Sequence, residues 1–250
     1  MFYWRHQIEP ASSGELGIDW GFTSATGPRQ EADALDYGAF NLGGHVGDDP
    51  GLVEANRGEL AAAVAVPREH LIFMAQTHGT TVVQVDGPWQ GDPPQADAIV
   101  STSPDLALAV LVADCVPLLL ADVGAGVVAA VHAGRPGMIA GIVPRTLDVM
   151  ADAGASRIIA AVGPSVCGRC YEVPSDMRDE AARTSAVSAT VSWSGTPAID
   201  VAAGVVDQLH GAGVAVTWIP GCTRESDRLY SYRRRATTGR FAGVIRRWGR

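Results

Sequence analysis

The chain has 250 residues, of which 47% are hydrophobic and 18% are charged, and its formal net charge is -8. This length and apolar content allow a substantial core and argue against general disorder. All 19 basic residues are arginine, which excludes Schiff-base chemistry and a phosphate-binding loop that depends on lysine.

Apolar runs recur along the chain, and several are uninterrupted, which indicates strands in sheets covered on both faces. Amphipathic patterns between them indicate helices. In chain order we predict a helix at 50–64, strands at 71–75, 98–102, 106–113, 116–121 and 127–131, a helix at 141–154, a strand at 158–162, helices at 174–186 and 200–213, and a strand at 214–219. Asp200, and either Ser175 or Asp176, are the predicted N-caps. Hairpin-like strand pairs mix with strand-to-helix crossings, so we predict a mixed α/β (α+β) fold and one domain over residues 1–250.

Three residues with metal-binding side chains follow apolar runs. LIFMAQT leads to His78, LALAVLVAD leads to Cys115, and VVAAV leads to His132. Strand ends deliver side chains into clefts, so the three converge if their strands share a sheet edge. Two imidazoles and a thiolate suit zinc, and three protein ligands leave a fourth position for water or substrate. Two other interpretations stay open: a metal-free pair of Cys115 as nucleophile and His132 as base, or a core cysteine beside loop histidines.

Seven segments, in this order along the chain, resemble those of the YfiH family, whose members are also called laccase-domain or multicopper polyphenol oxidase proteins. They are NLGGHVGDDPGLVEANR (41–57), QTHG (76–79), ADAIVS (96–101), VADCVPLLLAD (112–122), AAVHAGRPG (129–137), VGPSVCGRCYEV (162–173) and SYRRRATTGRFAGVI (231–245). The resemblance implies an α/β/β/α fold. It also implies that His78, Cys115 and His132 are the metal ligands and the catalytic residues, and that the protein acts on purine nucleosides as a phosphorylase with adenosine deaminase activity.

The chain departs from the family at one motif. Where members commonly read HAGWRG, this chain reads HAGRPG, so that Arg135 stands one position early and Pro136 replaces the usual arginine. The side chain of arginine is long, and we therefore keep Arg135 as a candidate phosphate contact.

Phosphorolysis requires an anion to be held beside the ribose, and arginine is the natural phosphate ligand. The candidates are Arg57, Arg135 and the run 233–235, although Arg57 alone is also typical of a solvated helix face. Asn41 and His45 lie in the glycine-rich stretch NLGGHVG and are predicted to contact nucleoside or phosphate; turn formation is the alternative for Asn41.

Deamination would need a carboxyl group to move protons, and two residues are candidates. Asp114 adjoins Cys115, but it would help only if the strand has already broken there, since neighbours in a strand face opposite sides. Support of the loop backbone is the alternative for Asp114, and Glu172 is the second candidate.

Cys167 and Cys170 form a CxxC motif. A structural zinc site normally requires a second pair of ligands, and Cys222 is the one remaining cysteine. We therefore predict no second metal site from the sequence.

Charge and hydropathy restrict the partners and the compartment. Residues 224–250 contain nine arginines against two acidic residues, a local net charge of +7 in a chain of -8. The acidic remainder repels a polyanion, so we predict no nucleic-acid partner. The first ten residues contain no apolar run of signal-peptide length, and no membrane-spanning stretch follows, so we expect a cytoplasmic protein with reduced cysteines.

We therefore predict a monomeric, zinc-dependent purine nucleoside phosphorylase whose partners are a purine nucleoside and phosphate, with adenosine deamination as a side activity. One alternative is a Cu²⁺-binding, laccase-like polyphenol oxidase, although a multicopper assembly needs roughly ten histidines and the chain has six. Another is a metal-free Cys–His hydrolase acting on a peptidoglycan precursor, and a last one is a non-enzymatic interaction module that uses the basic tail.

Overall fold

The computed structural model describes residues 1–10, 16–27 and 37–249. The predicted domain also includes residues 11–15, 28–36 and 250, which lie outside the described residues. The strands are β1 (Phe2–Ile8), β2 (Gly17–Thr23), β3 (Leu71–Phe73), β4 (Val82–Gln84), β5 (Ala98–Ser101), β6 (Ala107–Val112), β7 (Val116–Asp122), β8 (Val127–Ala133), β9 (Ile159–Val162), β10 (Ala189–Val191), β11 (Pro197–Ile199), β12 (Ala215–Trp218) and β13 (Phe241–Trp248). The helices are α1 (Pro50–Ala63), α2 (Arg135–Ala140), α3 (Ile142–Asp152), α4 (Ser175–Thr184) and α5 (Val201–Gly211), with 3-10 turns at Arg68–His70 and Ala186–Ser188.

Two large sheets contain most of the strands. The first has the order β1-β2-β13-β6-β3, the second has the order β12-β9-β7-β8-β5-β4, and β10 and β11 form a separate ribbon. The centre of the second sheet is the antiparallel pair β7 and β8, in which Leu119 lies opposite Ala130. The chain passes from the first sheet to the second in the short turn between β6 and β7.

The two sheets pack against each other, and helices cover their outer faces. Leu119 of β7 belongs to the core between the sheets, together with Phe22 of β2 and Leu108 of β6. The neighbouring Leu118 points the other way, into the core that the second sheet shares with α3 and α5. Leu60 of α1 packs on the outer face of the first sheet. The layers are therefore α/β/β/α, which confirms the predicted fold class and explains why β7 is apolar at successive positions.

Most predicted helices and strands are confirmed, with ends shifted by a few residues. Asp200 caps α5, because its Oδ1 accepts a hydrogen bond from the backbone N–H of Ala203 at 2.9 Å. The predicted cap of α4 is wrong: Ser175 is already its first helical residue, and Pro174 occupies the cap position without a side-chain hydrogen bond. None of the helices in the described ranges is long and apolar enough to cross a membrane.

Candidate active site

His78, Cys115 and His132 lie together, and their ligand atoms are all within 4.8 Å of one another. The Sγ atom of Cys115 is 3.7 Å from Nε2 of His78, and the two imidazole rings meet edge to face with centroids 4.7 Å apart. The three residues converge although their strands do not share one sheet edge. His78 follows β3 of the first sheet, His132 lies within β8 of the second, and Cys115 occupies the turn between the sheets.

Asp97 organises two of these residues, and sequence reasoning missed it. Its Oδ1 accepts hydrogen bonds from the Nδ1 atom of His132 at 2.8 Å and from the backbone N–H of His78 at 2.9 Å. Its Oδ2 accepts from the backbone N–H of Gly79 at 2.7 Å and from both the hydroxyl and the N–H of Thr77, at 2.8 and 3.3 Å. Asp97 is completely buried, so these five hydrogen bonds fix the loop that carries His78 relative to His132.

The backbone at the site adopts conformations that side chains seldom take. His78 has φ of 61° and Asp114 has φ of 98°, both in the left-handed region. Such conformations persist where the surroundings hold them in place, and they cluster at functional sites. Gly134 allows the close approach of the site residues, because a Cβ atom there would lie 2.8 Å from Cδ2 of His78 and 3.3 Å from Sγ of Cys115.

The strand has broken at Asp114, but its carboxylate supports the loop. Oδ1 accepts from the hydroxyl of Thr223 at 2.6 Å, and Oδ2 accepts from the backbone N–H of Arg233 at 2.8 Å. The side chain of Glu172 is exposed and is not among the described residues that line the cavity around the site. The backbone carbonyl of Glu172 accepts a hydrogen bond from Arg233 at 3.3 Å, but its carboxylate is not placed at the three residues. The geometry therefore favours the structural interpretation of Asp114 and does not support a proton-transfer role for Glu172.

The charges at the site are strongly coupled. Burial opposes a thiolate at Cys115, but the charge of His132 and hydrogen bonds from both histidines outweigh it and lower the pKa of Cys115 to about 6. Burial also opposes protonation of His132, but Cys115 and Asp97 raise the pKa of its imidazole to about 9. Burial of Asp97 is likewise outweighed by its hydrogen bonds, which lower its pKa. The metal-free protein therefore favours a thiolate–imidazolium pair.

The donor set fits a divalent metal ion. Asp97 binds Nδ1 of His132, which leaves Nε2 of that ring for coordination, as in the carboxylate–histidine pairs that orient metal ligands. Two nitrogens and one sulfur within 4.8 Å leave one tetrahedral position for a further ligand. Binding would displace the proton of His132 and keep Cys115 as the thiolate.

A cavity of about 820 Å³ opens at the three residues. Cationic and hydrogen-bonding side chains line part of it, and aromatic and apolar side chains line the rest. The first set is His45, Arg57, Gln76, Arg135, Arg233 and Arg240, and the second is Phe73, Met74, Leu111, Tyr171 and Tyr232. A volume of this size holds a drug-sized ligand, and the lining offers it both cationic groups and aromatic rings.

Arg57 and Arg135, both predicted to bind phosphate, line the cavity. Arg57 donates from Nε to the carbonyl of Leu42 at 3.0 Å, and its guanidinium lies 4.4 Å from the ring centroid of Phe73. Arg135 starts α2 and lies 3.5 Å from a carboxylate oxygen of Glu180, so the altered HAGRPG motif still places its arginine at the cavity.

Asn41 and His45 occupy different positions in their loop. His45 lines the cavity, and partial burial together with the charges of Arg240 and Arg57 lowers its pKa, so it is neutral near pH 7. Asn41 is completely buried and is not among the described lining residues. Its Oδ1 accepts from the N–H of Arg240 at 2.8 Å and its Nδ2 donates to Asp48 at 2.8 Å, which favours a positioning role. Direct contact of Asn41 with substrate stays a prediction.

Arg233 and Arg234, in the arginine run near the C-terminus, have different roles. Arg233 lines the cavity and lies 4.1 Å above the ring of Tyr171. Arg234 donates hydrogen bonds to four backbone carbonyls between Thr223 and Leu229 and therefore stabilises the loop over 223–229. Sequence reasoning missed Arg240 as a cavity residue, although it lies in the segment 231–245 that resembles the family.

Comparison with known proteins identifies the family. The family described as multi-copper polyphenol oxidoreductase laccase matches residues 20–248. The chain belongs to this family. Purine nucleoside phosphorylase SCO2081 of Streptomyces coelicolor is 51% identical over 234 residues, covering 92% of this chain and 95% of the relative. Purine nucleoside phosphorylase YfiH of Shigella flexneri is 36% identical over 216 residues, covering 84% of this chain and 86% of the relative.

A solved structure extends the laccase-family match to the whole fold. Protein NMB0706 of Neisseria meningitidis superimposes with a TM-score of 0.79 at 30% identity, covering 98% of this chain and 99% of the other. The resemblance to the YfiH family is thus confirmed.

Proposed function

We propose that this protein is a zinc-dependent purine nucleoside phosphorylase that converts inosine or adenosine and phosphate into the free base and ribose 1-phosphate. The observation that carries the proposal is one cavity in which His78, Cys115 and His132 lie beside several arginines and aromatic rings. The relatives named purine nucleoside phosphorylase support it. We further propose that residues 1–250 act as one catalytic domain, in a monomer in the cytoplasm.

The arginines would bind and orient the phosphate. Arg57 and Arg135 reach the cavity from α1 and α2, and Arg240 precedes β13. A guanidinium matches the geometry of a phosphate and keeps its charge at every physiological pH. Holding the anion beside C1′ of the ribose makes a bimolecular reaction effectively unimolecular. This positioning accounts for a large part of the rate enhancement.

Aromatic residues would hold the purine. Tyr171 and Tyr232 line the cavity together with Phe73, whose ring is already stacked by Arg57. Planar rings bury a large apolar area against a purine, while each tyrosine hydroxyl offers a polar contact.

His78, Cys115 and His132 would hold the zinc ion, with Asp97 keeping Nδ1 of His132 occupied. When bound, the ion would supply a Lewis acid that polarises an oxygen atom of a ligand in the cavity. Asp97 excludes the alternative orientation of the His132 ring, because its oxygen accepts the Nδ1 proton at 2.8 Å. His45 is neutral near pH 7 and so can accept a hydrogen bond from a nucleoside hydroxyl.

Adenosine deamination is the side activity in this proposal. It requires a group that moves protons to and from the purine ring. The nearby carboxylate of Asp114 already accepts hydrogen bonds from Thr223 and Arg233. We therefore expect deamination to be slower than phosphorolysis.

One observation favours a second candidate function. The metal-free pair of Cys115 and His132 has the lowered thiol pKa that a cysteine nucleophile requires. A Cys–His hydrolase acting on a peptidoglycan precursor would use this pair without metal, and His78 would be dispensable. A multicopper, laccase-type assembly needs roughly ten histidines and the chain has six, so a Cu²⁺ function would be limited to one ion at the same three ligands.

The experiment is an assay of zinc-reconstituted protein with inosine, with and without phosphate. The proposal expects hypoxanthine and ribose 1-phosphate, formed in a phosphate-dependent reaction. In Arg135→Ala, the KM for phosphate should rise roughly 10-fold or more, as expected when a charged hydrogen bond of about 1.5–3 kcal/mol is lost. Arg145→Ala is the matched control, because Arg145 is exposed on α3 and lies outside the described cavity lining.

Two results would reject the phosphorylase. The first is no turnover of inosine or adenosine by zinc-loaded protein. The second is a phosphate-independent reaction that survives His78→Ala and disappears when Cys115 is alkylated, which would establish the hydrolase instead.

A further inference from the structure

A second group of metal-binding side chains lies apart from the cavity. Cys167, Cys170, Cys222 and Glu225 place one ligand atom each within 4.8 Å of the others. The Sγ atom of Cys170 lies 3.4 Å from Oε1 of Glu225, and the backbone N–H of Cys167 donates to Sγ of Cys222 at 3.5 Å. The three cysteines are free thiols, and the described residues that line the cavity include none of the four.

The four side chains come from two turns of the same form. In the first, the N–H groups of Cys170 and of the residue after it donate to the carbonyl of Cys167 at 2.9 and 3.1 Å. In the second, the N–H groups of Glu225 and of the residue after it donate to the carbonyl of Cys222 at 3.2 and 3.0 Å. Each turn thus presents a pair of ligands spaced three residues apart, which is the spacing of the C-x₂-C pairs in structural zinc sites.

Backbone pairing holds the two turns side by side. Ser165 forms a parallel bridge with Cys222: its N–H donates to the carbonyl of Gly221 at 3.3 Å, and its carbonyl accepts from the N–H of Thr223 at 3.0 Å. Gly168 lets the first turn pack closely, because a Cβ atom there would lie 2.8 Å from Cβ of Asp200. The ligand pairs are therefore fixed by the fold before any ion binds.

The carboxylate has the kind of partner that orients a metal ligand. The indole N–H of Trp193 donates to Oε1 of Glu225 at 3.2 Å, and the guanidinium of Arg169 lies 5.4 Å from the centroid of that indole. Hydrogen bonds of this kind fix the orientation of coordinating side chains and contribute to metal affinity. The rest of the Trp193 side chain faces solvent, since the residue is 72% exposed.

We propose that Cys167, Cys170, Cys222 and Glu225 bind a second zinc ion, which has a structural role. Three thiolates and a carboxylate complete a tetrahedral site without an open position, so this ion does not contact substrate. Soft sulfur ligands select zinc over the hard cations Mg²⁺ and Ca²⁺. The ion cross-links two chain segments that are 55 residues apart at Cys170 and Glu225.

The cross-linked segments support the turn that carries Cys115. Val166 donates its N–H to the carbonyl of Asp114 at 2.9 Å, and Thr223 donates its hydroxyl to the carboxylate of the same residue at 2.6 Å. Both are next to ligands of the second ion. The structural zinc would therefore stabilise the backbone on which the first metal site depends, and its loss would lower the temperature of unfolding.

The test is zinc quantification on the full chain, purified under reducing conditions and dialysed against a weak chelator. Wild type should retain two zinc ions per chain. The double variant Cys167→Ser, Cys222→Ser and the variant His78→Ala should each retain one, and their combination should retain none. Asp227→Asn is the matched control, because Asp227 is an exposed carboxylate two residues from Glu225 and outside the cluster; it should retain two.

Cobalt substitution tests the ligand identity and does not depend on activity. In His78→Ala, bound Co²⁺ should show intense thiolate charge-transfer absorption, which should vanish when Cys167 and Cys222 are also replaced. If the double variant fails to fold, Glu225→Gln provides a milder change. It should weaken zinc binding at this site by at least the roughly 10-fold that loss of an outer hydrogen bond costs.

The outcomes separate this inference from the proposed phosphorylase. One zinc ion in wild type, retained by the double cysteine variant and lost in His78→Ala, would overturn the second site and leave the first intact. Two ions in a protein that does not act on nucleosides would support the second site while rejecting the phosphorylase.

Discussion

Replacing Asp97 with asparagine tests how the proposed first metal site is organised. Oδ2 of Asp97 accepts three hydrogen bonds and Oδ1 accepts two, all from groups that are donors in this arrangement. Whichever oxygen becomes the amide nitrogen, at least two donors lose their acceptor and face another N–H group. An unsatisfied buried donor costs about 1–3 kcal/mol. Water can reach part of the loop, so we expect a loss of about 2–4 kcal/mol in the free energy of unfolding.

Metal affinity should fall together with stability. His132 loses the carboxylate that orients its ring, and removal of such a partner typically costs 10–100-fold in metal affinity or activity. Urea unfolding measures the first effect, and competition with a zinc chelator measures the second. Asp86→Asn is the matched control, because Asp86 is exposed and, among the described residues, accepts one hydrogen bond, from Gln84 at 3.4 Å. Wild-type stability and zinc affinity in Asp97→Asn would refute the assigned role of this carboxylate.

Three further predictions concern the thiolate, a helix cap and the core. In zinc-free protein, alkylation of Cys115, followed by peptide mass spectrometry, should rise with pH about a midpoint near 6, because the thiolate is lost as pH falls through that pKa. A midpoint above pH 8 would show that His132 does not stabilise the thiolate. Asp200→Ala removes the N-cap of α5 and should cost about 1 kcal/mol in urea unfolding; an unchanged midpoint would contradict this. Leu119→Ala opens a cavity between the sheets and should cost about 2–5 kcal/mol, whereas Val187→Ala, at a side chain that is 56% exposed, should stay within about 0.5 kcal/mol. Equal costs for these two variants would contradict the assigned core.

The sequence predicts the central strands well, and the edges of the fold poorly. β6, β7 and β8 are buried on both faces, so their apolar runs stand out. β1 and β2 contain charged residues that become compatible with the sheet through pairing: Arg5 donates to Asp19 at 2.9 Å across the two strands. No local pattern reveals such a pair, because its members meet only after the strands have paired.

The same distinction applies to the two proposed metal sites. His78, Cys115 and His132 each follow an apolar run, which marks them as residues delivered to a cleft. No such pattern identifies Asp97, since the four residues that donate its five hydrogen bonds become neighbours only when the loop after β3 packs against β8. Glu225 is equally hidden, because a carboxylate three residues after Cys222 becomes a candidate ligand only when the CxxC turn lies beside it.

In the proposed function, a metal ion held by His78, Cys115 and His132 is required for phosphorolysis. The most direct measurement is the rate of phosphate-dependent hypoxanthine release from inosine during titration of metal-free protein with zinc, in wild type and in His78→Ala. We predict that the wild-type rate rises until the first site is filled and that His78→Ala remains inactive at every zinc concentration. Full activity in metal-free wild type, or in zinc-saturated His78→Ala, would show that phosphorolysis does not require this metal ion.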